Sequence, residues 1–182
     1  MKVIKAKTAG FCFGVKRAVD TVYKQVDTKC GQIYTYGPII HNEEVIKDMR
    51  DKGVIVLRSE EDLDMISQGT VIIRSHGVEK RIYEKIEQKG LRIVDATCPF
   101  VKKIHNIVSE KSGEGFHIII IGNPEHPEVV GIKGWAKDNV TVIQSAEDAE
   151  CFTADRKEKI CIVSQTTFNY NKFKDLVEIF LK

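Results

Sequence analysis

The sequence has no long apolar run. Its apolar runs, such as Ile118 to Ile121, fall far short of the roughly 20 residues that a membrane-spanning helix requires, so a helical membrane protein is not expected. Export is not expected: Lys2, Lys5 and Lys7 break up the apolar residues of MKVIKAKTAGFCFGV, and a signal peptide needs an unbroken stretch. The expected location is the cytoplasm, with no membrane partner. Charge of one sign is equally scarce. The 28 Lys+Arg nearly cancel the 26 Asp+Glu, leaving +2 spread along the chain, so no basic field announces a nucleic-acid surface. Close-spaced cysteines are absent as well. The five, at 12, 30, 98, 151 and 161, form no CxxC pair, which argues against a zinc ribbon. In a reducing compartment they read as thiols or metal ligands rather than a disulfide framework.

The 182 residues are 42% apolar and 30% charged, enough to bury a core of one or two domains. Short β-rich runs at Ile33–Tyr36, Val54–Leu57, Val71–Arg74, Leu91–Val94, His117–Ile121, Val140–Ile143 and Ile160–Val163 are predicted strands. Between them lie amphipathic helical stretches, clearest at Val15, Ala18, Val19, Val22 and at Phe173, Leu176, Val177, Phe180, Leu181, each set spaced as one apolar face. This alternation predicts an α/β fold with parallel sheets and covering helices.

The two halves also repeat each other. Cys12 overlays Cys98, with Val15-Lys16 on Val101-Lys102. Gly37, His41, Glu43 and Val45 overlay Gly122, His126, Glu128 and Val130. VLRSEED (56–62) matches VIQSAED (142–148), and IIRSHG (72–77) corresponds to IVSQTT (162–167). The chain therefore reads as two copies of one α/β unit of about 85 to 90 residues, placed at 13–97 and 98–182. Each copy offers one cysteine and one His-x-Glu at equivalent strand ends, so a two-fold or three-fold arrangement would bring the cysteines to a common axis. Cubane clusters are held by several thiolates, and a third copy would be the natural source of another.

Cys12 lies in a Gly-flanked turn, Gly10-Phe11-Cys12-Phe13-Gly14, where a helix starts and its dipole favours a thiolate. Alone it reads equally well as a buried structural thiol. Cys98 repeats the arrangement, with Pro99 in the first helical turn, and two matched occurrences favour a metal ligand. Cys30, Cys151 and Cys161 read as core or surface thiols.

His41 and His126 stand where strands give way to helices, and His76 in Arg74-Ser75-His76-Gly77 is comparably placed. Crevices outside the carboxyl ends of parallel strands are the expected ligand sites, and three imidazoles there can donate to phosphate oxygens. His105 shares a helical face with Val101 and Val108, and His117 opens a strand, so both read as packing residues. Glu128, followed by Val129-Val130-Gly131, has an apolar setting that could keep a carboxyl protonated and suit it as a general acid. Glu43 is its counterpart, and the repeat does not choose between them; a solvated helix-start glutamate is the plainer reading of either. Ser164-Gln165-Thr166-Thr167 offers hydroxyls as helix caps or ligand contacts.

AGFCFGVKRAV, GPIIHNEEV, RSHGV, DATCPFV, GNPEHPEV and SQTT occur in this order along the chain, and in that order and spacing the sequence resembles the 4-hydroxy-3-methylbut-2-enyl diphosphate reductases. The resemblance implies three α/β domains around a central [4Fe-4S] cluster held by three cysteines, of which this chain would supply two domains. Cys12 and Cys98 match the first two ligands. His41, His76 and His126 match the diphosphate site, Glu128 the proton donor and Thr166 a hydroxyl relay. The implied reaction is reductive loss of water from an allylic diphosphate, with ferredoxin or flavodoxin as electron donor. The third cysteine and the third domain's Ser-Ser-Asn contacts have no match, so the chain is expected to be a fragment, its segment 1–12 contributing a strand to the absent domain. Two further readings belong to other classes: a redox-inactive phosphate-binding α/β module, and a structural Cys/His zinc protein, disfavoured by its wide ligand spacing.

Overall fold

The computed structural model describes residues 2–28, 31–153, 155 and 157–180; Cys30 and Leu181, both singled out above, lie outside them. In chain order the elements are α1 (Phe13–Thr28), β1 (Ile33–Tyr36), α2 (Glu43–Asp51), β2 (Ile55–Leu57), α3 (Glu60–Asp64), β3 (Thr70–Ile73), α4 (Lys80–Gln88), β4 (Arg92–Asp95), α5 (Pro99–Gly113), β5 (His117–Ile121), α6 (Pro127–Lys133), β6 (Val140–Ile143), α7 (Ala146–Cys151), β7 (Ile160–Ser164) and α8 (Tyr170–Phe180). All seven predicted strands form, within a residue or so of the predicted bounds.

The strands build two parallel sheets, ordered β2-β1-β3-β4 and β6-β5-β7. The central strands explain the apolar runs. In a parallel sheet both faces are covered by helices, so an inner strand can carry consecutive apolar residues instead of alternating, as β5 and Val71–Ile73 of β3 do. In β3, Ile72 joins the cluster under α1 with Ala18, Val19 and Val22, while Val71 and Ile73 face the other way, against Ile82 and Ile86 of α4. In β5, Ile118 and Ile120 pack on Val108, Val129 and Ile132, while Ile119 and Ile121 pack on Ile143 and Leu176. All four isoleucines are fully buried, each worth about 1.5–3 kcal/mol relative to exposure.

Residues 2–12 form no strand with either sheet; they carry one turn, in which the Ala9 N–H donates to the Ala6 carbonyl (3.2 Å). The strand expected in 1–12 was to pair outside these two sheets, and a lone strand leaves its backbone groups without partners. No helix of the described residues is long and apolar enough to cross a membrane.

Specific contacts join the two halves. The Lys80 backbone N–H, at the start of α4, donates to the Gly134 carbonyl (3.4 Å). The Trp135 indole N–H donates to the Val78 carbonyl (2.9 Å). The carboxyl ends of both sheets are thereby held against one another.

Candidate functional site

His41 follows β1, His76 follows β3 and His126 follows β5, so parallel topology puts all three at the carboxyl ends of strands. The structure brings them together. Ring centroids are 4.9 Å apart for His41 and His76, 5.5 Å for His76 and His126, and 6.5 Å for His41 and His126. One ring nitrogen from each lies within 4.8 Å of the others. His41 is exposed and the other two are half-buried.

The chemistry of this trio favours an anion over a metal ion. His126 is the N-cap of α6, and its Nδ1 accepts from the Glu128 backbone N–H (3.1 Å). The neutral ring therefore carries its proton on Nε2, which makes it a donor, whereas a metal needs a lone pair. The half-buried guanidinium of Arg74 adds positive charge beside His76. Burial depresses the Arg74 pKa, partly offset by Tyr36. Burial is also the main reason that His76 is pushed down to about 4, reinforced by His41, His126 and Arg74. Three imidazole N–H donors beside a guanidinium suit phosphate oxygens.

Glu128 is only 2% exposed. One carboxylate oxygen accepts from the Thr166 backbone N–H (2.5 Å) and the other from the Thr166 hydroxyl (2.8 Å). Thr166 itself is exposed, so the pair runs from the interior to the surface. Glu43, its sequence counterpart, is exposed. The cause is a one-residue difference in capping. In the first half Asn42 caps α2, accepting from the Val45 N–H (3.1 Å), so Glu43 is the first helical residue. In the second half His126 caps α6, so Glu128 is the second. One residue turns a helix by about 100°, enough to aim one carboxylate at solvent and the other inward.

The SQTT segment differs from one sequence reading. Neither threonine caps α8. Asn169 does, accepting from the Lys172 N–H (3.1 Å). Thr167 instead accepts from the Gln165 amide (2.8 Å), whose oxygen accepts from the Asn123 N–H (3.3 Å). This ties the Thr166 loop to the loop leading into His126. Gln165 and Arg74 went unassigned from sequence; their positions at strand ends were the available signal.

Cys12 is exposed immediately before α1, and Cys98 is half-buried as the N-cap of α5. Their carbonyls accept equivalent first-turn bonds, from Lys16 and Lys102 (2.9 Å each). Both thiols are free, and the Cys98 sulfur rests on α1: a Cβ on Gly14 would fall 2.6 Å from it. The two cysteines thus converge on the start of one helix, and only glycine at 14 leaves room. Cys161 lies in β7 beside Ile118, toward the opposite end of the sheet, and burial raises its pKa. Cys151 is exposed at the end of α7.

His105 and His117 are packing residues, as expected. His105 is 1% exposed and stacks on Trp135 (5.0 Å, 18°). His117 bonds Glu158 (2.9 Å) and Thr141 (2.8 Å).

The family described as LytB protein matches residues 3–182. Among curated relatives, 4-hydroxy-3-methylbut-2-enyl diphosphate reductase of Caldanaerobacter subterraneus is 46% identical over 180 residues, covering 98% of this chain and 62% of its own length. The protein of the same name from Thermoanaerobacter sp. (strain X514) is 48% identical over 181 residues, with the same coverage. Among solved structures, the E-1-hydroxy-2-methyl-but-2-enyl-4-diphosphate reductase of Plasmodium falciparum aligns with a TM-score of 0.88 at 31% identity, covering 95% of this chain and 54% of that one. A structure of (E)-4-hydroxy-3-methyl-but-2-enyl diphosphate reductase, described as the terminal enzyme of the non-mevalonate pathway, aligns with a TM-score of 0.81 at 38% identity, covering 98% and 63%. The chain spans about three fifths of the length of these curated relatives. With its two parallel sheets and its match over almost every residue, the chain belongs to the LytB family.

Proposed function

We propose that this chain forms two of the α/β units, 13–97 and 98–182, of a 4-hydroxy-3-methylbut-2-enyl diphosphate reductase. The reaction breaks the allylic C–O bond, takes up two electrons and two protons, and releases water with isopentenyl or dimethylallyl diphosphate. The observation that carries this reading is the convergence of three imidazoles beside the Glu128–Thr166 pair. His41, His76 and His126 bind the diphosphate. Thr166 meets the substrate hydroxyl, and Glu128 delivers a proton through it, since a hydroxyl accepts and donates at once.

The residues present fit a [4Fe-4S] cluster in donor type: two free thiols at helix starts, with the Gly14 cradle letting Cys98 approach α1. Cys12 and Cys98 would hold it, and when bound it supplies the electrons, received from ferredoxin or flavodoxin in the cytoplasm. Cys161 precedes Thr166 by five residues along β7 and its loop, about 3.3 Å apiece, which makes it a poor third ligand.

Calorimetry with the allylic diphosphate and with the corresponding free alcohol tests the reading. The diphosphate should bind, and alanine at any of the three histidines should weaken it far more than the alcohol. Equal, histidine-independent affinities would remove the trio from the substrate site. A phosphate-binding module without a cluster is favoured by the same trio; iron and sulfide analysis after anaerobic reconstitution separates the two.

A further inference from the structure

We propose that His105 is a positioning residue for His76, acting through the contact of its ring, at Cε1, with the Gly77 turn. The inference rests on the diphosphate reading only for what the trio binds; the positioning itself can be read without ligand.

His76 and Gly77 form the turn after β3, with Gly77 at φ +71, a left-handed conformation that glycine adopts without strain. The turn is wedged between two helices of the second half. On one side is α5: a Cβ on Gly77 would lie 2.4 Å from His105 Cε1 and 3.2 Å from its Nε2, with Thr97 Cγ2 at 3.1 Å. On the other is α6, where a Cβ on Gly131 would come within 3.5 Å of the Gly77 carbonyl carbon. His105 is therefore the floor on which the His76 turn stands.

The floor is itself braced. Trp135 stacks on His105, its N–H holds the Val78 carbonyl next to Gly77, and Tyr83 meets the indole edge-on at 5.7 Å. His105 Nε2 is buried and has no hydrogen-bond partner among the described residues. A ring used for its hydrogen bonds would not leave a buried nitrogen idle, because an unmade bond is costly. His105 acts here through shape and stacking. The consequence is a link, through the Gly77 backbone, between helix α5, which begins beside Cys98, and the neighbouring His76.

The test maps the reaction of diethyl pyrocarbonate with each histidine by mass spectrometry, using the 182-residue chain. In His105→Ala the His76 rate should rise about fivefold, the opening expected when roughly 1 kcal/mol of local support is lost, while His41 and His126 stay within about twofold. His105→Phe, which keeps a ring against Trp135, should restore the wild-type rate. Should His105→Ala fail to fold by circular dichroism, Trp135→Leu replaces it with the same selective rise expected. An unchanged His76 rate, an equal rise at all three histidines, or rescue by Gln instead of Phe would each overturn the proposal. Titration with inorganic diphosphate then separates the readings: a selective His76 response in a chain that binds no diphosphate leaves the positioning role standing and sinks the ligand reading alone.

Discussion

The helices after β1 and β5 occupy matching places in the two sheets, yet one presents a bare carboxylate to water and the other buries it against Thr166. Each paired histidine has a glutamate two residues on, but Asn42 stands between in the first half and Pro127 in the second, and the cap moves from Asn42 to His126. The loops after β3 and β7 diverge in a similar way. Ser75 fastens the first to the Ile39 carbonyl (3.0 Å), just ahead of His41, and Gln165 fastens the second to Asn123, just ahead of His126. Each fastening holds a different tip, His76 in one and Thr166 in the other. Duplicated architecture here supplies equivalent places, and small sequence changes make them differ; on the proposed function, anion binding would lean on the first unit and proton delivery on the second.

The division would break most visibly at the glutamates. In a chain extended to the relatives' length, Glu128→Gln should lower steady-state turnover by roughly 10²-fold, as loss of a general acid does, while Glu43→Gln should stay within about twofold. Comparable losses at both would show that the capping shift does not separate their roles.

The histidines should show a smaller and more even effect. Alanine at His41, His76 or His126 should each weaken binding of inorganic diphosphate about tenfold, the worth of one charge-assisted hydrogen bond. Calorimetry in which only one of the three matters would confine the anion to one unit.

The pH dependence of stability sharpens the comparison from another side. His76 and His105 are each pushed down to about 4, chiefly by burial; Asp95 opposes the effect at His105. The unfolded chain takes these protons near pH 6.5 and the folded chain does not until about pH 4. Stability is therefore fully present above about 6.5 and lost progressively as pH falls from there toward 4. Thr166, the counterpart of His76, does not titrate in this range. Urea midpoints at about pH 7.5, 6 and 5 should fall in that order, and His105→Phe should flatten the trend.

The smallest effect separates capping from binding. Asn42→Ala should cost about 1 kcal/mol of stability in urea denaturation and leave diphosphate affinity unchanged, whereas His126→Ala should lose both.

Much of this was legible in the sequence, for identifiable reasons. The β3 and β5 runs announce inner strands because burial on both faces favours consecutive apolar residues, and the histidines announce a shared site because each follows the carboxyl end of a parallel strand. The choice between Glu43 and Glu128 was not legible, since it turns on which neighbour caps the helix, a matter of one residue in phase. The seat of His105 under Gly77 was invisible too. Helical periodicity identified a packing residue, but Gly77 comes from the other half of the chain and meets it only when the sheet ends dock.

One short connection carries a consequence for how the chain can vary in length. Between β4 and Cys98 stand only Ala96 and Thr97, both buried. The Ala96 N–H donates to Ile73 (3.1 Å), the Thr97 N–H to the Asp95 side chain (2.9 Å) and the Cys98 N–H to Ser75 (2.8 Å). A residue inserted there would push the thiol off its seat on Gly14 by up to about 3.5 Å and break the three anchors in turn. The turn at Glu114–Gly115, exposed and past the end of α5, can absorb the same insertion. Within this fold, then, the spacer ahead of the second cysteine has a fixed length, whereas spacers facing solvent are free to drift.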